Sequence, residues 1–310
     1  MIVKNVLIAG SGNVTGMNVI RALLGNKDIS LYGCDYEAIN PSNQWCPSYS
    51  VPRCAEEGYE TAIMKIVKEK KISHIIATND HDVRALSLIK EKSDKFPTFN
   101  GFSKNILNCL DKKETLKLFL RAGVKTPQEV GSNTDYPYVL RKESMGNKKK
   151  FVHIVKSDTD LSEIPKKHFE DGIKTRYISG IEYTVDVLCD NNSEVISAIP
   201  RRRIEVIGGM VHHAQIDKDL TLINLCSKIA KSVGLTGMNC IQCIKNEEEY
   251  YFIEINPRPG SGIDLSIASG INMPLLWIKD SLGESYSMKE PEWGLQMKRF
   301  YSGYYYKNEE

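Results

Sequence analysis

The chain has 310 residues, 41% of them hydrophobic, and 41 basic against 39 acidic side chains for a formal net charge of +2. This is enough chain for two or three domains or subdomains with a sizeable core. The interspersed charges argue against nucleic acid or an anionic membrane as partner. No apolar run is long enough to cross a bilayer, and Met1–Asn5 leads straight into a strand-like segment instead of a signal peptide, so the expected location is cytoplasmic. The eight scattered cysteines then read as reduced thiols.

In chain order, Val3–Ala9 is an apolar run that ends at Gly10-Ser11-Gly12-Asn13-Val14-Thr15-Gly16, the pattern of a buried parallel strand, a glycine turn and a helix. A strand over Asp28–Gly33 closing on Asp35, a helix over Glu56–Lys71, a strand over Ile72–Ala77 and a helix over Asp80–Glu91 follow. This alternation predicts a doubly wound parallel sheet over about the first hundred residues. Two helices fill Ser103–Gly123, the second entered at Asp111. Beyond them the period changes to strands at Tyr138–Arg141, Phe151–Val155, Ile181–Cys189, Glu194–Arg203, Gly237–Cys243 and Glu249–Asn256, with one helix over Lys218–Val233. The short turns between them imply antiparallel hairpins. The tyrosine-rich tail Tyr301–Tyr306 reads as the end of an edge strand.

Strand alternation places Glu254, Asn256 and Arg258 on one side and Ile253 and Ile255 on the other. A carboxylate, an amide and a guanidinium in that order suit Mg²⁺ and a polyphosphate. Gln242 lies one hairpin earlier, where its side chain reaches the same face. In Ile181–Val187 the acids Glu182 and Asp186 share a face with Thr184; Glu182 is placed to accept from ribose hydroxyls, and Asp186 is read as a solvated acid. Arg176, Tyr177 and Ile178 just before it offer backbone groups to a base edge. Arg141 is placed to hold a phosphate, and the polar loop Ser144–Lys149, with Gly146, to fold over it. Arg201 and Arg203 share a strand face and read as either an anion site or a solvated surface, and His212 and His213 as residues of a loop near the phosphates.

Two features point elsewhere. Gly10-x-Gly12 after a strand admits a nicotinamide dinucleotide, with Asp35 at the distance of a ribose-binding acid, but Gly16 lies one position beyond the third glycine of the fingerprint. Cys240-x-x-Cys243 has redox spacing, yet a strand turns its thiols to opposite faces and no second Cys/His pair completes a zinc site.

Leu110-Asp111-Lys112-Lys113-Glu114, Pro137–Arg141, Gly180–Val187, Cys240-Ile241-Gln242, Ile253–Arg258, Gly260–Ser266 and Ala268–Pro274 occur in order, and this series resembles the ATP-grasp superfamily, in particular its carbamoyl-phosphate-synthase large-subunit-like branch. The resemblance runs from about Leu110 to Gly283 and covers a single ATP-grasp unit. It implies an α/β doubly wound domain at residues 1–108, a small lid subdomain at 109–178 and a metal-bearing subdomain at 179–310, the last two an α+β pair with antiparallel sheets. It further implies ATP and Mg²⁺, with Mn²⁺ as a substitute; nucleotide contacts from Lys112, Arg141, Gly146, Arg176, Tyr177, Ile178 and Glu182; metal ligands Gln242, Glu254 and Asn256; and catalytic cations Arg258 and Arg141. The expected reaction joins a small-molecule carboxylate to an amine through an acylphosphate, releasing ADP, and relatives commonly pair as homodimers through their N-terminal domains. The glycine-poor loop and the Gly10 turn leave two rivals, a catalytically weak ATP-binding protein and a nicotinamide-dependent oxidoreductase.

Overall fold

A computed structural model describes residues 3–100, 103, 105–131, 135–142, 151–170 and 172–307. The apolar run at the start becomes β1 (Lys4–Ala9), whose Val6–Ala9 are fully buried, and the turn after it leads into α1 (Val14–Leu23) capped by Asn13. β2 (Ile29–Asp35), β3 (Ser48–Ser50), α2 (Tyr59–Glu69), β4 (His74–Ala77), α3 (Asp80–Glu91) and β5 (Thr98–Phe99) complete a parallel sheet ordered β3-β2-β1-β4-β5. The doubly wound sheet is as expected. α3 begins where predicted because Asn79 accepts the Asp82 N–H and two acids occupy the first turn, both favourable at a helix N-terminus.

A short helix, α4 (Ile106–Cys109), leads to α5 (Lys112–Arg121), capped by Asp111 through the Lys113 and Glu114 N–H groups. A smaller unit follows: β6 (Tyr138–Lys142), β7 (Val152–Val155) and β8 (Gly172–Arg176) form an antiparallel sheet ordered β7-β6-β8, with α6 (Asp158–Glu163) and α7 (Lys166–Glu170) between β7 and β8.

The remaining chain builds an antiparallel sheet ordered β13-β12-β9-β10-β11-β14. Its strands are β9 (Ile181–Cys189), β10 (Val195–Ile207), β11 (Met210–Ile216), β12 (Gly237–Asn246), β13 (Glu249–Asn256) and β14 (Gln296–Lys298), with helices α8 (Leu220–Val233), α9 (Ile263–Ala268) and α10 (Met273–Ser281). One face carries Tyr183, Val185 and Val187 into a core shared with α5 and α8. The opposite face ends at Leu188, which packs with Val6 and Ile8 of β1, with α1 and with α10. The N-terminal domain therefore covers the face that carries Glu182, Thr184 and Asp186.

Two local expectations are corrected. His212 and His213 lie in β11 and not in a loop: Gly208 and Gly209, both at positive φ, close a two-residue turn that pairs Ile207 with Met210 and extends β10. The edge strand is β14, and Tyr301–Tyr306 lie beyond it with no regular structure.

Candidate active site

Strand register assembles the site. Gln242 pairs with Thr184 on one side and Glu254 on the other, Cys240 lies between Asp186 and Asn256, and Arg201 lies opposite Thr184. All of these but Asp186 line a cavity of about 180 Å³, bordered also by Arg203, Arg258 and the segment Gly260-Ser261-Gly262. Gln242, Glu254, Asn256 and Arg258 meet here as the alternation predicted.

Each side-chain oxygen of Gln242, Glu254 and Asn256 is held by a hydrogen-bond donor. Glu254 Oε1 pairs with the Lys112 ammonium at the start of α5. Glu254 Oε2 accepts from the Gln242 amide nitrogen at 2.6 Å, while the Gln242 oxygen accepts from Arg203 Nη1 at 2.6 Å. Asn256 Oδ1 accepts from Arg258 Nη2 at 3.1 Å. Burial would raise the Glu254 carboxyl's pKa, but the Lys112 ammonium, helped by Arg141, outweighs it and holds the group below the ordinary glutamate value. Glu182 shifts the other way: burial, reinforced by Glu254, raises it against the pull of Arg203, which it meets at 2.8 Å.

Arg141 stands beside Glu254. It is 7% exposed and donates from Nη1 to the Ile253 carbonyl at 2.9 Å, while its buried Nε and Nη2 have no hydrogen-bond partner among the described residues. Burial lowers its pKa. An arginine with two unmet donors at the edge of a metal-type oxygen set is built for an anion. At the end of β8 the Arg176 and Tyr177 N–H groups already donate to the Gln128 and Pro137 carbonyls, at 2.8 and 3.1 Å; the Ile178 N–H has no backbone partner among the described residues. The expectation for Gly146 falls outside the described residues.

Three residues carry more than the sequence suggested. Asp186 is not a solvated acid: it is 1% exposed, receives Arg201 Nε and Nη2 at 2.7 and 2.8 Å, and accepts from Ser266 Oγ at 2.6 Å. Arg203 bridges Glu182 and Gln242, a role signalled only by its two-residue spacing from Arg201. Asp80, from the N-terminal domain, accepts from Arg258 Nε at 2.6 Å, and no sequence pattern announces a pair 178 residues apart. Cys240 lines the cavity, but burial pushes its thiol up to about 12, which removes it as a nucleophile at neutral pH.

The glycine turn is already filled. The Gly12 N–H donates to Asp35 at 3.0 Å, and a Cβ on Gly12 would lie 2.8 Å from that of Asn40. A carboxylate sits where a pyrophosphate needs the amide, so the dinucleotide rival loses its support.

A five-stranded parallel sheet joined to two antiparallel sheets, the larger of which holds a cavity lined by arginines and by carboxylate and amide oxygens, is an architecture consistent with the ATP-grasp fold. Residues 168–301 match the family described as ATP-grasp in the biosynthetic pathway with Ter operon. The carbamoyl phosphate synthase arginine-specific large chain of Halalkalibacterium halodurans is 23% identical over 88% of this chain and 29% of its own length. A D-alanine–D-alanine ligase of Fusobacterium nucleatum is 27% identical over 49% of this chain and 57% of its own. The chain thus spans less than two thirds of either relative. The solved ADP complex of an N5-carboxyaminoimidazole ribonucleotide synthetase superposes with a TM-score of 0.78 at 16% identity, covering 94% of this chain and 80% of that one. The chain carries one ATP-grasp unit, matched by that family over residues 168–301.

Proposed function

We propose that this chain is an ATP- and Mg²⁺-dependent, ADP-forming ligase that activates a small-molecule carboxylate as an acylphosphate for attack by an amine. The observation that carries the reading is Glu254, with Gln242 and Asn256 beside it, next to a buried Arg141 whose Nε and Nη2 are unmet. The oxygen set fits magnesium: one carboxylate and two amide oxygens are hard donors, and positive or N–H groups already neutralise them. Mn²⁺ would substitute. Magnesium bound there would draw charge off the phosphoryl oxygens as they transfer.

In the proposed reaction a substrate carboxylate oxygen attacks the γ-phosphorus, the bond to the ADP oxygen breaks, and an acylphosphate forms. The amine nitrogen then attacks the acyl carbon, inorganic phosphate leaves, and the amine gives up a proton. Arg141 and Arg258 hold the transferring phosphoryl group, and Lys112 moves from Glu254 to the nucleotide phosphates. Arg176, Tyr177 and Ile178 border the base, Glu182 takes the ribose, and Gly146 belongs to the loop over the phosphates. This assigns residues 1–108 to the covering domain, 109–178 to the lid and 179–310 to the metal-bearing part.

Glu254→Ala tests the assignment. ADP formation should fall by at least ~100-fold with the circular dichroism spectrum kept, and calorimetry on the parent chain should detect Mg·ATP but not NADPH. Substantial ADP release by the variant would remove Glu254 from the site.

A further inference from the structure

Arg258 stands two residues past the end of β13, between Pro257 and Pro259, and belongs to no helix or strand. Its long side chain therefore takes its direction from the groups that meet it, and it borders the cavity beside Asn256. Nη1 donates to the Pro259 carbonyl at 3.2 Å and Nη2 to Asn256 Oδ1 at 3.1 Å, both neutral acceptors. Nε donates to Asp80 Oδ1 at 2.6 Å, the shortest of the three and the one that joins two charges.

Asp80 comes from the other domain. It is 8% exposed and backs the guanidinium without lining the cavity. It opens α3, whose cap Asn79 accepts the Asp82 N–H at 2.9 Å, and Asp82 in turn accepts from Tyr59 Oη at 2.7 Å and Cys54 Sγ at 2.9 Å. The first turn of α3 is thus tied into the N-terminal domain, and a helix N-terminus favours a carboxylate at that position.

A buried ion pair across a domain boundary has a plainer use, as an adhesive. Here adhesion is supplied by other means. The two domains share an apolar core that includes Val6, Ile8, Leu188 and Trp277, and Asn18 and Asn272 bond the Ser261 and Ala22 carbonyls across the same boundary. A buried pair adds little to stability beyond apolar residues of the same volume, because desolvating both charges offsets their attraction. Asp80 also acts against the metal-type set, since its charge adds to burial in opposing the ionisation of Glu254, against the pull of Lys112. What the pair supplies, and an apolar contact would not, is a fixed direction for the guanidinium.

We propose that Asp80 is a positioning residue for phosphoryl transfer: it holds Arg258 aimed at the transferring phosphoryl group, so that the N-terminal domain completes the site without touching the substrate. The assignment rests on the ligase reading above and adds to it a residue of the covering domain.

The test needs neither the carboxylate nor the amine. The full chain is titrated in a calorimeter with Mg·ADP, alone and with tetrafluoroaluminate, which takes the place of the phosphoryl group in flight. The parent should bind Mg·ADP at least ~100-fold tighter with fluoroaluminate than without. Asp80→Ala should lose at least ~10-fold of that gain, with affinity for Mg·ADP alone within about threefold of the parent. Asp80→Asn has the same size and keeps an oxygen acceptor but makes a weaker bond, and should lose at least ~3-fold. Arg258→Gln should lose the gain as well, and adding Asp80→Ala to it should lose no more, because the two residues act as one unit. An adhesive role predicts a lower melting temperature with the gain intact. That result in Asp80→Asn, which remains informative if the alanine variant fails to fold, overturns the proposal. So does a further loss in the double variant, or a parent that binds Mg·ADP with no gain from fluoroaluminate. A parent that binds no Mg·ADP overturns the ligase reading instead, and with it the ground on which this assignment stands.

Discussion

The face on which Glu254 lies was legible from alternation alone, whereas its ion-pair partner was not, because Lys112 reaches it from a helix 142 residues earlier. The pair is one quarter exposed on each side, enough burial for the loss of Lys112 to register. Lys112→Met should destabilise the fold by roughly 2 kcal/mol near neutral pH, the size of a hydrogen bond to a charged group. The pH dependence has a definite sign. The folded-state pKa of Glu254 is depressed below its ordinary 4.5, so the stabilisation is present above that value and is lost as pH falls through the folded pKa. Urea unfolding of parent and variant at about pH 7 and about pH 3.5 measures it. A gap that stays the same at both would show that Lys112 acts through packing and not through the Glu254 charge.

At the scale of elements, the strands with their own alternation were found where the sequence put them. β9 and β13 match to the residue and α3 does too, because caps and period are local properties. β3, β5, β8 and β14, of two to five residues, were not legible: each is a strand because a neighbour pairs with it. β11 was missed because its two adjacent histidines obscure the alternation, although His212 is buried and His213 bonds Gln296 across to β14. The junction between the three-stranded and six-stranded sheets depends on one glycine. Gly180, at φ +152°, lets β9 begin alongside the end of β12, and a Cβ there would sit 2.1 Å from the Lys245 carbonyl oxygen. Gly180→Ala should lower stability by roughly 1–3 kcal/mol. Because Gly180 lies two residues past Ile178, it should also weaken Mg·ATP binding. Thermal melting with calorimetry separates the two effects, and a variant that melts and binds like the parent would show that the backbone there relaxes freely.

For the whole molecule, composition predicted several domains, but it gave no sign that the first of them would share a core with the last. Val6, Ile8 and Ile76 of the parallel sheet pack in one cluster with Leu188, Ile199, Met238 and Trp277. Polar links cross the same boundary: Arg258 to Asp80, Asn18 to the Ser261 carbonyl, and Asn272 to the Ala22 carbonyl. The cavity wall therefore depends on docking of the N-terminal domain, a property of the tertiary fold that no single segment encodes. His74 reports on that docking. It is 2% exposed, its ring meets Trp277 edge to face, and its Nε2 lies 2.9 Å from Ser281 Oγ on α10. Burial, with a smaller push from Lys4, lowers its pKa from 6.5 to about 4. Between those values the unfolded chain binds a proton that the folded chain refuses, so stability falls as pH drops from 6.5 and the loss is complete below about 4. The full effect is roughly 3 kcal/mol at 1.36 kcal/mol per unit. His74→Gln keeps a hydrogen-bonding side chain but no titration, and its stability should therefore decline less steeply over that window. Denaturant titrations of both proteins from about pH 7 to about pH 4 decide it: parallel curves would mean that the acid sensitivity of the docked domains comes from the carboxylates, with His74 a bystander.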